Sequence, residues 1–122
     1  MCKIIIVDDT EEIREVLNVY FSDKGHFCAE ACNGTQALQI MNDEKFDMVI
    51  TDIHMPDMDG ITFIEELSKK ECSCPVMLMT GDPIIDSREK AVRIGAQGYI
   101  GKPFSFHDIS KEFDNILSEH GK

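Results

Sequence analysis

No stretch of this 122-residue sequence is apolar for the roughly 20 residues that a membrane-spanning helix needs, so no transmembrane anchor is expected. The opening MCKIIIVDD holds an apolar run of only four residues before two acids, too short for the core of a signal peptide. The expected location is the cytoplasm. Basic residues are scarce: 12 Lys and Arg against 23 Asp and Glu give a net charge of −11. That balance opposes direct binding to nucleic acid or to an anionic membrane. Most of the acidity reads as a solubilising surface, but part of it can form a local cluster that attracts a cation. There is no C-x2-C pair among Cys2, Cys28, Cys32, Cys72 and Cys74, and tetrahedral zinc needs four converging ligands. The odd count suits free thiols in a reducing compartment. No linker, repeat or low-complexity segment divides the chain, so residues 1–122 are expected to form one domain.

What is present alternates between two periods. KIIIV (3–7), MVI (48–50) and VMLM (76–79) are short apolar runs suited to strands buried on both faces of a sheet. HFCAEA (26–31) is a weaker strand that belongs towards an edge, and GYIG (98–101) is the shortest candidate. Ile13, Val16, Leu17, Tyr20 and Phe21 form one helical apolar stripe. The stretch from Thr35 to Asn42 carries Ala37, Leu38 and Met41 on one face, and Ile61, Ile64 and Leu67 do the same further on, with Phe63 widening the stripe. DSRE at 86–89 predicts an N-cap at Asp86 with its matching glutamate, and Gly95 a stop. Ser105 can cap a last helix whose inner face holds Ile109, Phe113, Ile116 and Leu117. Five strands alternating with five helices require right-handed crossovers, hence an α/β domain with a doubly wound parallel sheet covered on both faces.

In an open parallel sheet, ligands bind beyond the carboxyl ends of the strands. Here the first strand runs into Asp8 and Asp9, the third into Asp52, the fourth into Thr80 and the fifth into Lys102. Taken singly, Asp9 and Thr10 could cap a helix, Asp52 and Thr80 could start turns, and Lys102 could be a surface lysine. Those readings leave unexplained why all five sit at one edge. Three carboxylates together repel one another, and a hard divalent cation with oxygen ligands relieves this. A lysine and a hydroxyl can hold phosphoryl oxygens, and a carboxylate can itself accept a phosphoryl group. The set suits phosphoryl transfer, where positioning and charge neutralisation do most of the catalysis.

The blocks IIIVDD, MVITDIHMPDMDG, VMLMTG and GAQGYIGKPF, in that order between residue 3 and about residue 117, resemble those of a response-regulator receiver domain, the phospho-acceptor of two-component signalling. The resemblance implies a flavodoxin-like sheet in the order 2-1-3-4-5, as in chemotaxis regulators. By the same resemblance Asp52 is the phospho-acceptor. Asp9 and Asp52 would ligate Mg²⁺ directly (Mn²⁺ is an alternative), with Asp8 acting mainly through water and the backbone carbonyl of His54 as a further ligand. Thr80 and Lys102 would hold phosphoryl oxygens, Tyr99 would be the aromatic switch that follows Thr80, and the Lys102–Pro103 bond would be cis. The implied partners are a sensor histidine kinase or phosphotransfer protein, and a protein effector or an output domain. A domain of this kind catalyses only its own phosphorylation and dephosphorylation.

Some positions depart from the pattern. Gly81 stands where alanine or serine is commoner, and Gln97 and Gly98 replace the acidic pair of the winged-helix subfamily, which puts that subfamily's dimer in doubt. His54 and Asp82 occupy variable positions near the phosphoryl site, and the His54 side chain reads more simply as solvent-facing than as catalytic. Two other readings fit the residues less well. Asp57, Asp59, Gly60 and Glu66 sit at calcium-hand spacings, but Met55 then takes the first ligand position and supplies no hard oxygen. A metal-dependent phosphohydrolase with an aspartyl nucleophile usually has a second carboxylate two residues on, where this chain has His54.

Overall fold

The apolar runs form strands β1 (Lys3–Val7), β3 (Met48–Thr51) and β4 (Val76–Thr80), flanked by β2 (Phe27–Ala31) and β5 (Gly98–Gly101). All pairings are parallel, and the order is β2-β1-β3-β4-β5. The weaker HFCAEA segment lies at an edge, as its composition suggested. Helices α1 (Glu11–Asp23), α2 (Gly34–Asp43), α3 (Gly60–Ser68), α4 (Arg88–Arg93) and α5 (Phe106–His120) make the crossovers. The computed structural model describes residues 1–55, 57–70, 74–83, 85 and 87–120.

The two-residue period of a strand splits the core into two layers. Ile4, Ile6, Met48, Ile50, Met77 and Met79 pack with Leu17 and Phe21 of α1 and Ile109, Phe113 and Ile116 of α5. Ile5, Val7, Val49 and Leu78 face the other way, onto Ala37 of α2, Phe63, Ile64 and Leu67 of α3, and Ala91 of α4. Burial on both faces explains why β1, β3 and β4 read as continuous apolar runs rather than as alternating ones.

The helix ends follow local chemistry. Asn33 and Asp59 accept the backbone N–H groups of Gln36 and Thr62, each at 2.8 Å, and Ser105 accepts that of Asp108 at 3.1 Å. Gly95 lies just past α4 at a φ of 105°, the left-handed stop expected of it. Two expectations are corrected. The cap of α4 is Ser87, whose side chain accepts the Lys90 N–H, so the helix starts one residue later than DSRE suggested; Asp86 lies outside the described residues, as does Cys72. Val16 is 46% exposed, because only the Leu17–Phe21 side of α1 meets the sheet. With Val19, Tyr20 and Phe106 it lines a shallow apolar groove instead, rimmed by Glu15 and Asp23.

Candidate functional site

Parallel pairing places every strand's carboxyl end at the same edge, and the side chains found there make direct contacts. Asp8 is wholly buried, Asp52 is 8% exposed, and Asp9 is exposed. One carboxylate oxygen from each lies within 4.8 Å of the other two. Lys102, carried in from the end of β5, donates from Nζ to Asp52 Oδ2 at 2.9 Å and to Asp8 Oδ2 at 3.0 Å. Backbone amides serve the remaining oxygens: Thr10 N–H donates to Asp8 Oδ1 at 2.9 Å, and Ile53 N–H to Asp52 Oδ1 at 2.6 Å. Arg14 donates to the Asp8 backbone carbonyl at 2.7 Å and to Glu30 at 3.2 Å, which fixes α1 against the loop.

Electrostatics sort these groups. Burial raises the Asp8 carboxyl above its ordinary value; the Thr10 amide and Lys102 pull it back only in part, and the Asp52 charge adds to the rise. Burial also works against the Lys102 ammonium, yet the bonds and charges of Asp52 and Asp8 together outweigh it and raise the lysine's pKa. The two directions are compatible. A single wholly buried carboxylate gains one cation and has two acidic neighbours, whereas the lysine gains two anions. The cluster therefore holds more negative charge than Lys102 neutralises. Three converging hard oxygen donors fit a divalent cation of the magnesium type, which accepts carboxylates and keeps waters.

Thr80 is 1% exposed at the end of β4; its Oγ1 accepts the Asp82 N–H at 3.0 Å, and its carbonyl accepts the Lys102 N–H at 2.9 Å. Tyr99 is half-buried on β5, with its ring lying over Gly101. The His54 imidazole is 71% exposed, as a solvent-facing reading required, but it is paired with the Asp82 carboxylate. The Lys102–Pro103 bond is cis. Gly60 opens α3. In the structure its N–H donates to the Ile53 carbonyl at 2.6 Å, and any Cβ there would collide with the Asp52 carbonyl and the Ile53 Cα. The start of α3 thus presses on the backbone that presents Asp52, and only glycine fits.

Residues 4–114 match the family model described as the response regulator receiver domain. The chain is 37% identical over 108 residues to the regulatory protein AtoC of Escherichia coli (strain K12), covering 88% of this chain but only 23% of that protein. It is 36% identical over 107 residues to sporulation initiation phosphotransferase F of Bacillus subtilis (strain 168), covering 88% of this chain and 86% of that one. Among solved structures, the chemotaxis response regulator CheY4 of Vibrio cholerae superposes with a TM-score of 0.87 at 27% identity, over 96% of this chain and 99% of that one.

Proposed function

The chain belongs to the response-regulator receiver family, the signalling domain of two-component systems, and we propose that within it Asp52 accepts the phosphoryl group. The observation that carries this assignment is Lys102 Nζ bonded at once to Asp52 and Asp8, with Asp9 within 4.8 Å of both acids. Asp9 and Asp52 would hold Mg²⁺ (or Mn²⁺) directly, Asp8 would act mainly through water, and the His54 carbonyl would complete the protein ligands. Bound there, the cation neutralises charge between the carboxylates and an incoming phosphoryl oxygen. Lys102 binds a second oxygen and keeps the nucleophile's charge compensated before the phosphoryl donor arrives. The Ile53 amide holds one Asp52 oxygen, and the other, bonded to Lys102 at rest, attacks as Lys102 turns to the phosphoryl group. Thr80, buried beside this edge, supplies a hydroxyl to the third oxygen, and Tyr99 follows its movement.

The domain's own chemistry is limited to gaining and losing this group. A sensor histidine kinase or phosphotransfer protein donates it, and a protein effector or an attached output domain reads it on the face formed by α4, β5 and α5. A net charge of −11 favours a protein reader over nucleic acid. Among the described residues no helix is long and apolar enough to cross a membrane, and the cytoplasm is the compartment proposed.

The test is intact mass after incubation with acetyl phosphate or phosphoramidate and Mg²⁺. One phosphoryl per chain is expected, lost in Asp52→Asn and in excess chelator. Equal labelling of the variant would refute the assignment. Many turnovers of a phosphate ester per chain would instead favour the aspartyl phosphohydrolase.

A further inference from the structure

Among the described residues five polar or charged ones are buried, and four of them (Asp8, Thr51, Asp52 and Thr80) sit at the acidic edge or next to it. The fifth, Glu112 on α5, is 8% exposed and lies elsewhere. A buried carboxylate is costly unless its oxygens are bonded, and both of these are. Oε2 accepts the backbone N–H of Tyr99 at 2.7 Å, and Oε1 accepts from Arg88 Nη2 in the first turn of α4. The Tyr99 amide lies on the outer side of β5, which pairs only with β4, so Glu112 stands where another strand would be. Gly98 makes the approach possible, because a Cβ there would come within 2.9 Å of Glu112 Oε2 and closer still to Ile116.

One side chain thus joins α4, β5 and α5. Of the three, α5 is anchored by Ile109, Phe113 and Ile116, and β5 by its ladder to β4. By contrast, α4 has six residues and buries only Ala91. A helix that short has no stability of its own, so its position depends on the few contacts that hold it. Three residues along from Tyr99, Lys102 binds Asp52, so β5 carries the acidic site at one end and the Glu112 contact near the other.

We propose that Glu112 is a latch that holds α4 and β5 in the resting arrangement, and that occupation of the phosphoryl site and closure of this latch oppose each other. The second half rests on the reading of Asp52 given above. A phosphoryl oxygen drawn to Lys102 shifts the end of β5, and the shift strains the Tyr99–Glu112–Arg88 chain. By reciprocity, loosening the latch favours the occupied state.

The test uses Arg88→Ala and Arg88→Lys, which leave Glu112 bonded to the Tyr99 amide, with Arg93→Ala as a charge-matched control whose partner, Glu89, lies on the same helix. In ligand-free protein, amide exchange in α4 should rise about tenfold in Arg88→Ala, with β1 and β3 unchanged and Arg88→Lys near wild type. With Mg²⁺ present, the apparent affinity of Arg88→Ala for beryllium fluoride should rise about three- to tenfold. Loss of a positive charge alone predicts weaker anion binding, the direction expected of Arg93→Ala. Unchanged α4 exchange, or an affinity that falls in step with the control, would overturn the latch. Beryllium fluoride binding that persists in Asp52→Asn would defeat the phosphoryl-site reading instead, while the exchange result still decides whether Glu112 holds α4.

Discussion

Replacing Asp8 by asparagine should stabilise the metal-free protein. Oxygens of Asp9 and Asp52 lie within 4.8 Å of Asp8, while Lys102 Nζ is 3.0 Å away. At an effective dielectric of ~20, each such repulsion is worth about 3.5 kcal/mol and the attraction about 5.5 kcal/mol, with the exposed Asp9 screened to roughly half. The charge terms therefore nearly cancel, and the desolvation of a wholly buried carboxylate tips the balance, in line with the raised Asp8 pKa. The asparagine keeps an oxygen for the Thr10 amide, but its NH2 group cannot accept from Lys102, so that hydrogen bond goes with the charge while Lys102 keeps its bond to Asp52. The net expectation is a gain of about 1–2 kcal/mol in chelator, or a rise in Tm of roughly 3–10 °C. Magnesium should reverse the ranking. At a concentration of 100 Kd, a bound cation stabilises wild type by about 2.7 kcal/mol, and most of that should be missing from the variant. Urea melts in chelator and in saturating Mg²⁺ give both numbers. A variant less stable than wild type in chelator, or equally stabilised by Mg²⁺, would show that the cluster's charge is not its dominant cost.

Two further outcomes follow from other parts of the molecule. Gly60→Ala should lose about 2–4 kcal/mol in a denaturant melt, since the added Cβ meets backbone that cannot rotate away, and phosphorylation by acetyl phosphate should slow with it. His26 Nδ1 accepts the Cys2 N–H at 3.0 Å, and burial, aided by Lys24, lowers its pKa. As pH falls, the unfolded chain takes up this proton first, so the contribution is complete above about pH 6.5 and is lost as pH drops through the lower folded-state value. His26→Gln, which retains an acceptor, should therefore lose less Tm than wild type between about pH 7.5 and 5.5; parallel profiles would refute the assignment.

The fold was legible because each of its determinants is local. Apolar runs flanked by 3.6-period stripes name the strands and helices, and parallel pairing then obliges Asp8, Asp9, Asp52, Thr80 and Lys102 to meet at one edge, whatever their separation in sequence. The caps at Ser105 and Gly95 could be read for the same reason: a cap bonds within one turn of itself. Ser87 displaced Asp86 as the cap of α4 because two adjacent residues share that chemistry, and only the helix's actual start selects one. Tertiary structure alone decided the rest. A stripe of five apolar residues on α1 exceeds the width the sheet can cover, which leaves Val16 outside. Nothing near Gly60 announces that Asp52 will lie against it, and nothing near Glu112 distinguishes it from the surface acids that surround it in the sequence. Its partners, Tyr99 and Arg88, lie 13 and 24 residues away, and they become neighbours only when α4 and α5 pack on either side of β5. Periodicity records which side of an element is buried, but the contact a buried side chain makes is set by what the chain brings opposite it.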